Sequence, residues 1–337
     1  MVQARLSLAL TGDGALPRTG EILVLGPRAG TLAGVLPQDR CTVVQGFRPD
    51  HDRLQSEGWK VIPALPEGGR IFDAALIVLP RAKAEGRGMV AAAVQRCAEG
   101  APIWIDGQKT DGADTMIRDL RPRVAITPPL AKAHGKIFRF DRSADAGFED
   151  WQAQELSPAP GFVTLPGMFS ADRIDPGSRM LADALPDGLA GRVADLGAGW
   201  GWLSSRILLH QRVSELHLVE ADFAALAAAR RNVTDPRARF HWADVTGFAA
   251  EKPFDAVVMN PPFHTGRAAE PGLGVAFIET AARILAPTGR LLLVANRHLP
   301  YETALSASFA SVDAIGGDSA FKLLRAVRPL RKPRPRG

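Results

Sequence analysis

The sequence predicts an α/β protein of two tandem Rossmann-like domains, each a mostly parallel sheet with helices on both faces. Three observations predict it. The chain has 337 residues, more than one ordinary core holds, which favours two domains of about 150–180 residues. Short apolar runs of strand length alternate with segments of helical composition, as in βαβ units. The second half also repeats the order of the first.

In the first half, Glu21 to Gly26 is an apolar run closed by glycine, and Cys41 to Gln45 is a second strand candidate. Phe72 to Pro80 is a third, Met89 to Cys97 has helical composition, and Pro102 to Gly107 is a fourth strand. Arg123 to Ile126 and Lys136 to Phe140 are expected to close the sheet. In the second half, Gly191 to Gly197 and Glu215 to Glu220 take the first two places. Phe254 to Pro261 matches Phe72 to Pro80, with Phe-Asp-Ala leading both. A helix over Phe277 to Leu285, a strand over Gly289 to Asn296 and a closing strand over Phe321 to Val327 complete the copy. The join falls within Ser143 to Leu165, with Ser157-Pro158-Ala159-Pro160-Gly161 as the linker signal. The expected domains are 1–150 and 161–328, with a basic, disordered tail over 329–337.

With 46% hydrophobic and 23% charged residues the composition is that of a soluble globular protein. Cys41 and Cys97 make neither a disulfide framework nor a zinc site, and no metal is expected. Buried or neutral thiols suit a reducing cytoplasm. No apolar stretch approaches a membrane span, and the start lacks the blocks of a signal peptide. Arg328, Arg331, Lys332, Arg334 and Arg336 account for the whole net charge of +5, so the body is near neutral. Such a tail either holds a phosphate backbone by counterion release or is simply solvated.

The halves differ where chemistry is needed. The second carries Asp195-Leu196-Gly197-Ala198-Gly199-Trp200-Gly201 directly after a strand, against Leu25-Gly26-Pro27-Arg28-Ala29-Gly30 in the first. Glycines let the backbone take conformations closed to other residues and let a ligand come near. A helix over Leu203 to Leu209 would face its N-terminus to that ligand. Glu220 lies 19 positions past Gly201, at the end of the next strand, where a carboxylate can accept both ribose hydroxyls. Asp244 is placed to accept from an adenine amino group. The plainer readings are a tight turn for the glycines, an exposed acid for Glu220 and a helix N-cap for Asp244. Both a dinucleotide and S-adenosylmethionine fit such a loop. Asp195 would sit badly beside a pyrophosphate and well beside a cationic ligand, which favours S-adenosylmethionine.

The strand Ala256 to Met259 ends in Asn260-Pro261-Pro262-Phe263-His264, while its copy ends in Val78-Leu79-Pro80-Arg81. Neither proline can donate to a ladder, so the chain leaves the sheet there. A base amine is a poor nucleophile because its lone pair is delocalised. The Asn260 side-chain oxygen and the Pro261 carbonyl could accept both of its N–H bonds and stabilise the charge that develops on methylation. Phe263 offers a stacking face worth about 1–3 kcal/mol. For His264 a packing or substrate contact is favoured over acid–base work, and Arg267 either touches phosphate or is solvated.

The Asp195–Gly201 loop with Asn260-Pro261-Pro262-Phe263-His264 resembles class I S-adenosylmethionine-dependent methyltransferases of the Asn-Pro-Pro-Phe/Tyr type. The narrower resemblance is to the bacterial ribosomal RNA small subunit methyltransferase C family, which modifies guanine N2. It is carried also by Gly167 to Ser178, by Asn296-Arg297-His298-Leu299-Pro300-Tyr301 and by Phe321-Lys322-Leu323. The resemblance implies two methyltransferase-like domains of which only the second is active, the first serving as a scaffold that grips RNA. It implies cofactor contacts at Asp195, Gly197, Gly199, Glu220 and Asp244, with Ala198, Gly201 and Asn260 beside them. Asn260 and Pro261 lie at the target amine, and Phe169 and Ser170 near cofactor or base. The implied partner is RNA, ribosomal RNA or a ribosomal subunit, and a cytoplasmic monomer is expected. Methylation of adenine N6 or of a protein glutamine would use the same acceptors. An NAD-dependent oxidoreductase and a non-catalytic RNA-binding assembly factor are the readings from other classes.

Overall fold

The structure, a computed structural model, describes residues 2–12, 14–145, 147–262 and 271–330. The chain divides into two compact units: Met1–Glu155 with Leu165–Gly167, and Leu156–Thr164 with Met168–Gly337. The first unit orders α1 (Val2–Leu10), β1 (Ile22–Leu25), β2 (Cys41–Val44), α2 (Arg48–Ser56), β3 (Lys60–Ile62), β4 (Ala74–Val78), α3 (Lys83–Arg96), β5 (Pro102–Gln108), α4 (Ala113–Leu120), β6 (Leu130–Lys132) and β7 (Gly135–Asp141). Its sheet runs β3-β2-β1-β4-β5-β7-β6. The second orders α5 (Pro176–Asp183), β8 (Gly191–Leu196), α6 (Trp202–Ile207), β9 (Val213–Glu220), α7 (Phe223–Asn232), β10 (Ala238–Trp242), β11 (Phe254–Met259), α8 (Pro271–Ile284), β12 (Leu285–Asn296), α9 (Tyr301–Ser308), β13 (Phe309–Gly317) and β14 (Phe321–Pro329). Its sheet runs β10-β9-β8-β11-β12-β14-β13, the same order. In each, five strands are parallel and the last two pairings are antiparallel, so only β7 and β14 run against the rest. The two-domain α/β reading therefore holds.

A sheet covered on both faces needs apolar side chains on both. Along β11, Val257 and Met259 join the core on one face, and Ala256 and Val258 the core on the other. All four are fully buried, and each large one contributes about 1.5–3 kcal/mol relative to exposure. This is why the strand reads as a continuous apolar run with no alternation.

The Phe-Asp-Ala that leads β4 and β11 is scaffold. Asp73 accepts from the Glu21 N–H at 2.8 Å, and Asp255 accepts from the Arg192 N–H at 2.8 Å. In both units a glycine precedes that N–H. Gly20 and Gly191 have φ +89° and +78°, and a Cβ on either would strike the aspartate. One contact is thus built twice, and it ties the start of β4 to β1 and of β11 to β8.

Three expectations are corrected. Arg123 to Ile126 is not a strand: Val124 and Ile126 pack against the core from a turn and the irregular segment after it, and the edge strand is β6 instead. β13 was not anticipated, because on this edge strand only Phe309 is fully buried and the apolar pattern is weak. The tail was expected from 329, yet Pro329 pairs with Phe309 and the Leu330 N–H donates to the Ser308 carbonyl at 2.8 Å. Residues 331–337 lie outside the described residues. Among the described residues no helix is long and apolar enough to cross a membrane, and no group of three or more His, Cys, Asp or Glu could hold a metal ion.

Candidate active site

In an open parallel sheet, ligands bind beyond the carboxyl ends of the strands where the strand order reverses. In the second unit that point lies between β8 and β11. Leu196 and Met259 are register partners, so the chain leaves the sheet at Gly197 and at Asn260 side by side. Both line a cleft of about 440 Å³, open to solvent, together with Phe169, Ser170, Asp175, Ser178, Ala198, Gly199, Trp200, Trp202 and Leu203.

The loop after β8 turns through three glycines of positive φ: Gly197 at +75°, Gly199 at +55° and Gly201 at +87°. Two of them have separate reasons to be glycine. A Cβ on Gly199 would meet nothing within 4 Å and so would project into the cleft. A Cβ on Gly201 would lie 2.9 Å from Val233 Cγ2 and 3.2 Å from Ala229 Cβ, where α7 packs against the loop. Side chains hold the loop from three directions. Glu220 accepts from the Gly199 N–H at 2.8 Å with one oxygen and from the Asp222 N–H at 2.8 Å with the other. Asn232 donates to the Trp200 carbonyl at 2.8 Å. The Trp200 indole donates to the Phe169 carbonyl at 2.9 Å. That last contact places Phe169, a residue 61% exposed, at the cleft, next to Ser170, whose φ of +47° is strained for a residue with a side chain. Asn232 was not anticipated, since nothing in its local sequence marks an asparagine at a helix end as a clamp.

Asp195 is 1% exposed at the end of β8. One oxygen accepts from the Ser204 hydroxyl at 2.6 Å, and the other is buried with no partner among the described residues. Burial pushes its carboxyl up to about 7, with the Ser204 hydrogen bond opposing and the Glu220 charge adding. Burial likewise raises Glu220, against the N–H groups of Asp222 and Gly199. A raised acid binds its proton more tightly folded than unfolded. The Asp195 contribution to stability is therefore best below its ordinary range of about 4 and is lost as pH rises to about 7. Asp195→Asn is expected to melt higher than the parent, by a margin that grows from pH 4.5 to pH 8. A margin independent of pH in calorimetric scans would contradict this.

Asp244 is the N-cap of a short 3-10 helix: its oxygens accept from the Thr246 N–H at 2.8 Å and the Thr246 hydroxyl at 2.7 Å. It does not line the cleft. The capping reading accounts for these contacts.

Asn260 is the most informative side chain of the cleft. Its amide nitrogen donates to Asp175 Oδ2 at 2.8 Å and to Ser178 Oγ at 2.8 Å. A carboxylate oxygen only accepts, so the amide orientation is fixed by chemistry. Asn260 Oδ1 is buried and has no partner among the described residues. Pro261 is buried and Pro262 half-buried behind it. Phe263, His264 and Arg267 lie outside the described residues.

The first unit repeats the frame with different chemistry. Val78 stands where the shared Phe-Asp-Ala numbering puts Asn260. Gln45 follows β2 at the place of Glu220, and its buried amide is taken up by the Pro27 carbonyl and the Phe47 N–H.

A doubly wound sheet with a glycine loop, a strand-end acid and Asn-Pro-Pro at the switch point defines a class I S-adenosylmethionine-dependent methyltransferase. The Methyltransferase small domain family matches residues 160–325. A ribosomal RNA small subunit methyltransferase C of Pectobacterium atrosepticum is 30% identical over 274 residues, covering 77% of this chain and 76% of the relative. The protein of the same name from Hahella chejuensis is 28% identical over 326 residues, 92% of this chain and 95% of that one. The chain belongs to the ribosomal RNA small subunit methyltransferase C family. In fold it is similar to the T. thermophilus 16S rRNA N2 methyltransferase solved with AdoMet and guanosine, with a TM-score of 0.80 and 24% identity, covering 97% of this chain and 91% of that one.

Proposed function

We propose that this protein transfers a methyl group from S-adenosylmethionine to the exocyclic N2 amine of a guanine in ribosomal RNA. The observation that carries the reading is the Asn260 side-chain oxygen, buried at the cleft and without a partner among the described residues. A protein rarely leaves a buried acceptor bare, since that costs about 1–3 kcal/mol. An amine donating to it from the cleft removes the cost. The ribosomal substrate and the guanine follow the activities of the named relatives. Ribosomal RNA as substrate places the work in the cytoplasm.

The residues fit the cofactor on the same kind of observation. Asp195 has a buried oxygen without a partner among the described residues, and Gly199 keeps clear the space a Cβ would fill. When bound, S-adenosylmethionine supplies an electrophilic methyl group on a sulfonium. Gly197, Ala198, Gly199 and Gly201 would let it approach, Glu220 would accept from its ribose, and Asp195 would face its cationic end. Asp244, already a cap, has lone pairs left for an adenine amine. Asn260 Oδ1 and the Pro261 carbonyl accept from the target amine, draw it toward tetrahedral geometry and stabilise the charge it gains. No strong base is needed, because the product can lose its proton to water. Phe169 and Phe263 give the base two aromatic faces, with His264 and Arg267 as substrate contacts. The first unit serves as a scaffold without catalysis of its own, a reading supported by Val78 and Gln45 at the places of Asn260 and Glu220, and its part would be to help grip RNA.

Two measurements test this. In ribosomal RNA from a strain lacking the gene, mass-spectrometric mapping is expected to show one guanine without its N2 methyl; an unchanged guanine profile would reject the assignment. Glu220→Ala removes the acceptor of two N–H groups and of the ribose. It is expected to weaken S-adenosylmethionine binding by about 100-fold, on the order of two charge-assisted hydrogen bonds. Unaltered affinity by calorimetry would remove Glu220 from the cofactor site.

A further inference from the structure

The Asn260 amide does not orient itself, and its partners come from a distant part of the chain. Asp175 is the N-cap of α5, where its Oδ2 accepts from the Ser178 N–H at 2.7 Å. The same oxygen accepts from Asn260 Nδ2 at 2.8 Å, and Ser178 Oγ accepts the amide's other N–H at 2.8 Å. Between them sits Gly177. A Cβ there would lie 3.1 Å from Asp175 Oδ2 and 3.1 Å from the Phe321 ring, so glycine keeps clear the oxygen that holds Asn260. We propose that Asp175, with Ser178, is a positioning residue for methyl transfer: it locks the Asn260 amide with its nitrogen turned away and its oxygen toward the target amine.

The inference rests on the proposed role of Asn260 and adds what makes that role possible. A free asparagine amide can flip, and the flipped form presents N–H groups to an amine that needs an acceptor. Asp175 is acceptor-only in its ionised form, so it pairs with just one of the two orientations. If the contact served folding alone, nothing in it would require the amide oxygen to remain buried without a partner among the described residues.

The test must separate capping from positioning, since Asp175 does both. Serine caps helices about as well as aspartate, but its oxygen is one bond shorter and cannot span Ser178 N and Asn260 together. Asparagine keeps an oxygen at the same reach. Turnover and S-adenosylmethionine affinity are measured with labelled cofactor and small-subunit ribosomal RNA for Asp175→Ser, Asp175→Asn, Ser178→Ala and Asn260→Ala. We expect Asp175→Ser to lose about 10- to 100-fold in kcat, the scale of a misplaced reacting group. Its cofactor Kd is expected to stay within about threefold, so that the loss falls on the chemical step. Asp175→Asn should recover most of that loss, and Ser178→Ala should lower kcat without lowering the melting temperature. Parental kcat in Asp175→Ser would overturn the proposal in favour of capping alone. A loss confined to cofactor affinity, with parental kcat at saturation, would overturn it in favour of a cofactor contact. Full turnover in Asn260→Ala would instead overturn the reading of the site itself. An inactive Asn260→Ala beside a fully active Asp175→Ser would sink only the positioning role.

Discussion

Asn260→Ala is expected to reduce kcat by about 100- to 1,000-fold, the scale of removing one preorganised acceptor or donor from a transition state. The substitution deletes Oδ1, the buried oxygen at the cleft with no partner among the described residues. It also deletes the nitrogen that donates to Asp175 and Ser178, but both of those keep other roles in the first turn of α5. The glycine loop is held by Glu220, Asn232 and Trp200 and not by Asn260. Cofactor affinity by calorimetry should therefore change little while turnover collapses. Asn260 holds the amine more strongly as it becomes charged, so most of the loss belongs in kcat and the smaller part in KM. Equal falls in affinity and turnover would mean that the residue builds the cofactor pocket instead.

The second large effect lies far from that chemistry, in the first unit. Arg5 of α1 is 0% exposed and forms a two-point ion pair with Asp106 of β5, Nε to Oδ1 at 2.6 Å and Nη2 to Oδ2 at 2.9 Å. Its Nη1 also donates to the Lys132 carbonyl at 2.7 Å. Burial raises the Asp106 carboxyl, with the Arg5 hydrogen bond and charge pulling the other way. Arg5→Met leaves Asp106 buried without its partner, a change that costs about 3–5 kcal/mol. Replacing both residues with apolar ones of similar volume can be close to neutral, so Arg5→Met with Asp106→Leu should recover much of the loss. Hydrogen exchange locates the effect: the amides of β5 and β7 should lose protection in the single variant. Unchanged protection there would show that the pair contributes little.

Most of the two sheets was legible because parallel strands buried on both faces are apolar runs. The runs Ala256 to Met259 of β11 and Leu291 to Ala295 of β12 read that way. β13 was not legible, because an edge strand covers little core and its residues carry no period. The Arg123 to Ile126 run has strand composition but lies alongside the core without entering the sheet. At the site, the glycine loop, Glu220 and Asn260 announced themselves by local spacing. The partners that give Asn260 its orientation did not, because Asp175 precedes it by 85 positions and only the fold brings them together. Asp175 entered the sequence reading only as part of the Gly167 to Ser178 stretch, and the structure makes it the N-cap of α5. Asp244 shows the reverse: its place in the sequence suggested a ligand contact, and its hydrogen bonds are those of a cap.

The comparison of the two units sharpens what the Asn-Pro-Pro segment is for. Asp73 and Asp255 make the same contact, so the strand begins identically in both. The strands end differently, in Val78-Leu79-Pro80 and in Asn260-Pro261-Pro262. Folding is satisfied by either ending, which leaves chemistry as the reason for the second.

The most direct test of the central claim is the identity of the methylated nucleoside. The purified protein is incubated with isotope-labelled S-adenosylmethionine and unmodified small-subunit ribosomal RNA, free and assembled into subunits. The RNA is digested and its nucleosides resolved by mass spectrometry. The account predicts label in N2-methylguanosine, in a single nucleotide, accumulating about 100- to 1,000-fold more slowly with Asn260→Ala. Label in N6-methyladenosine, or no transfer to either form of the RNA by a protein that binds the cofactor, would contradict it.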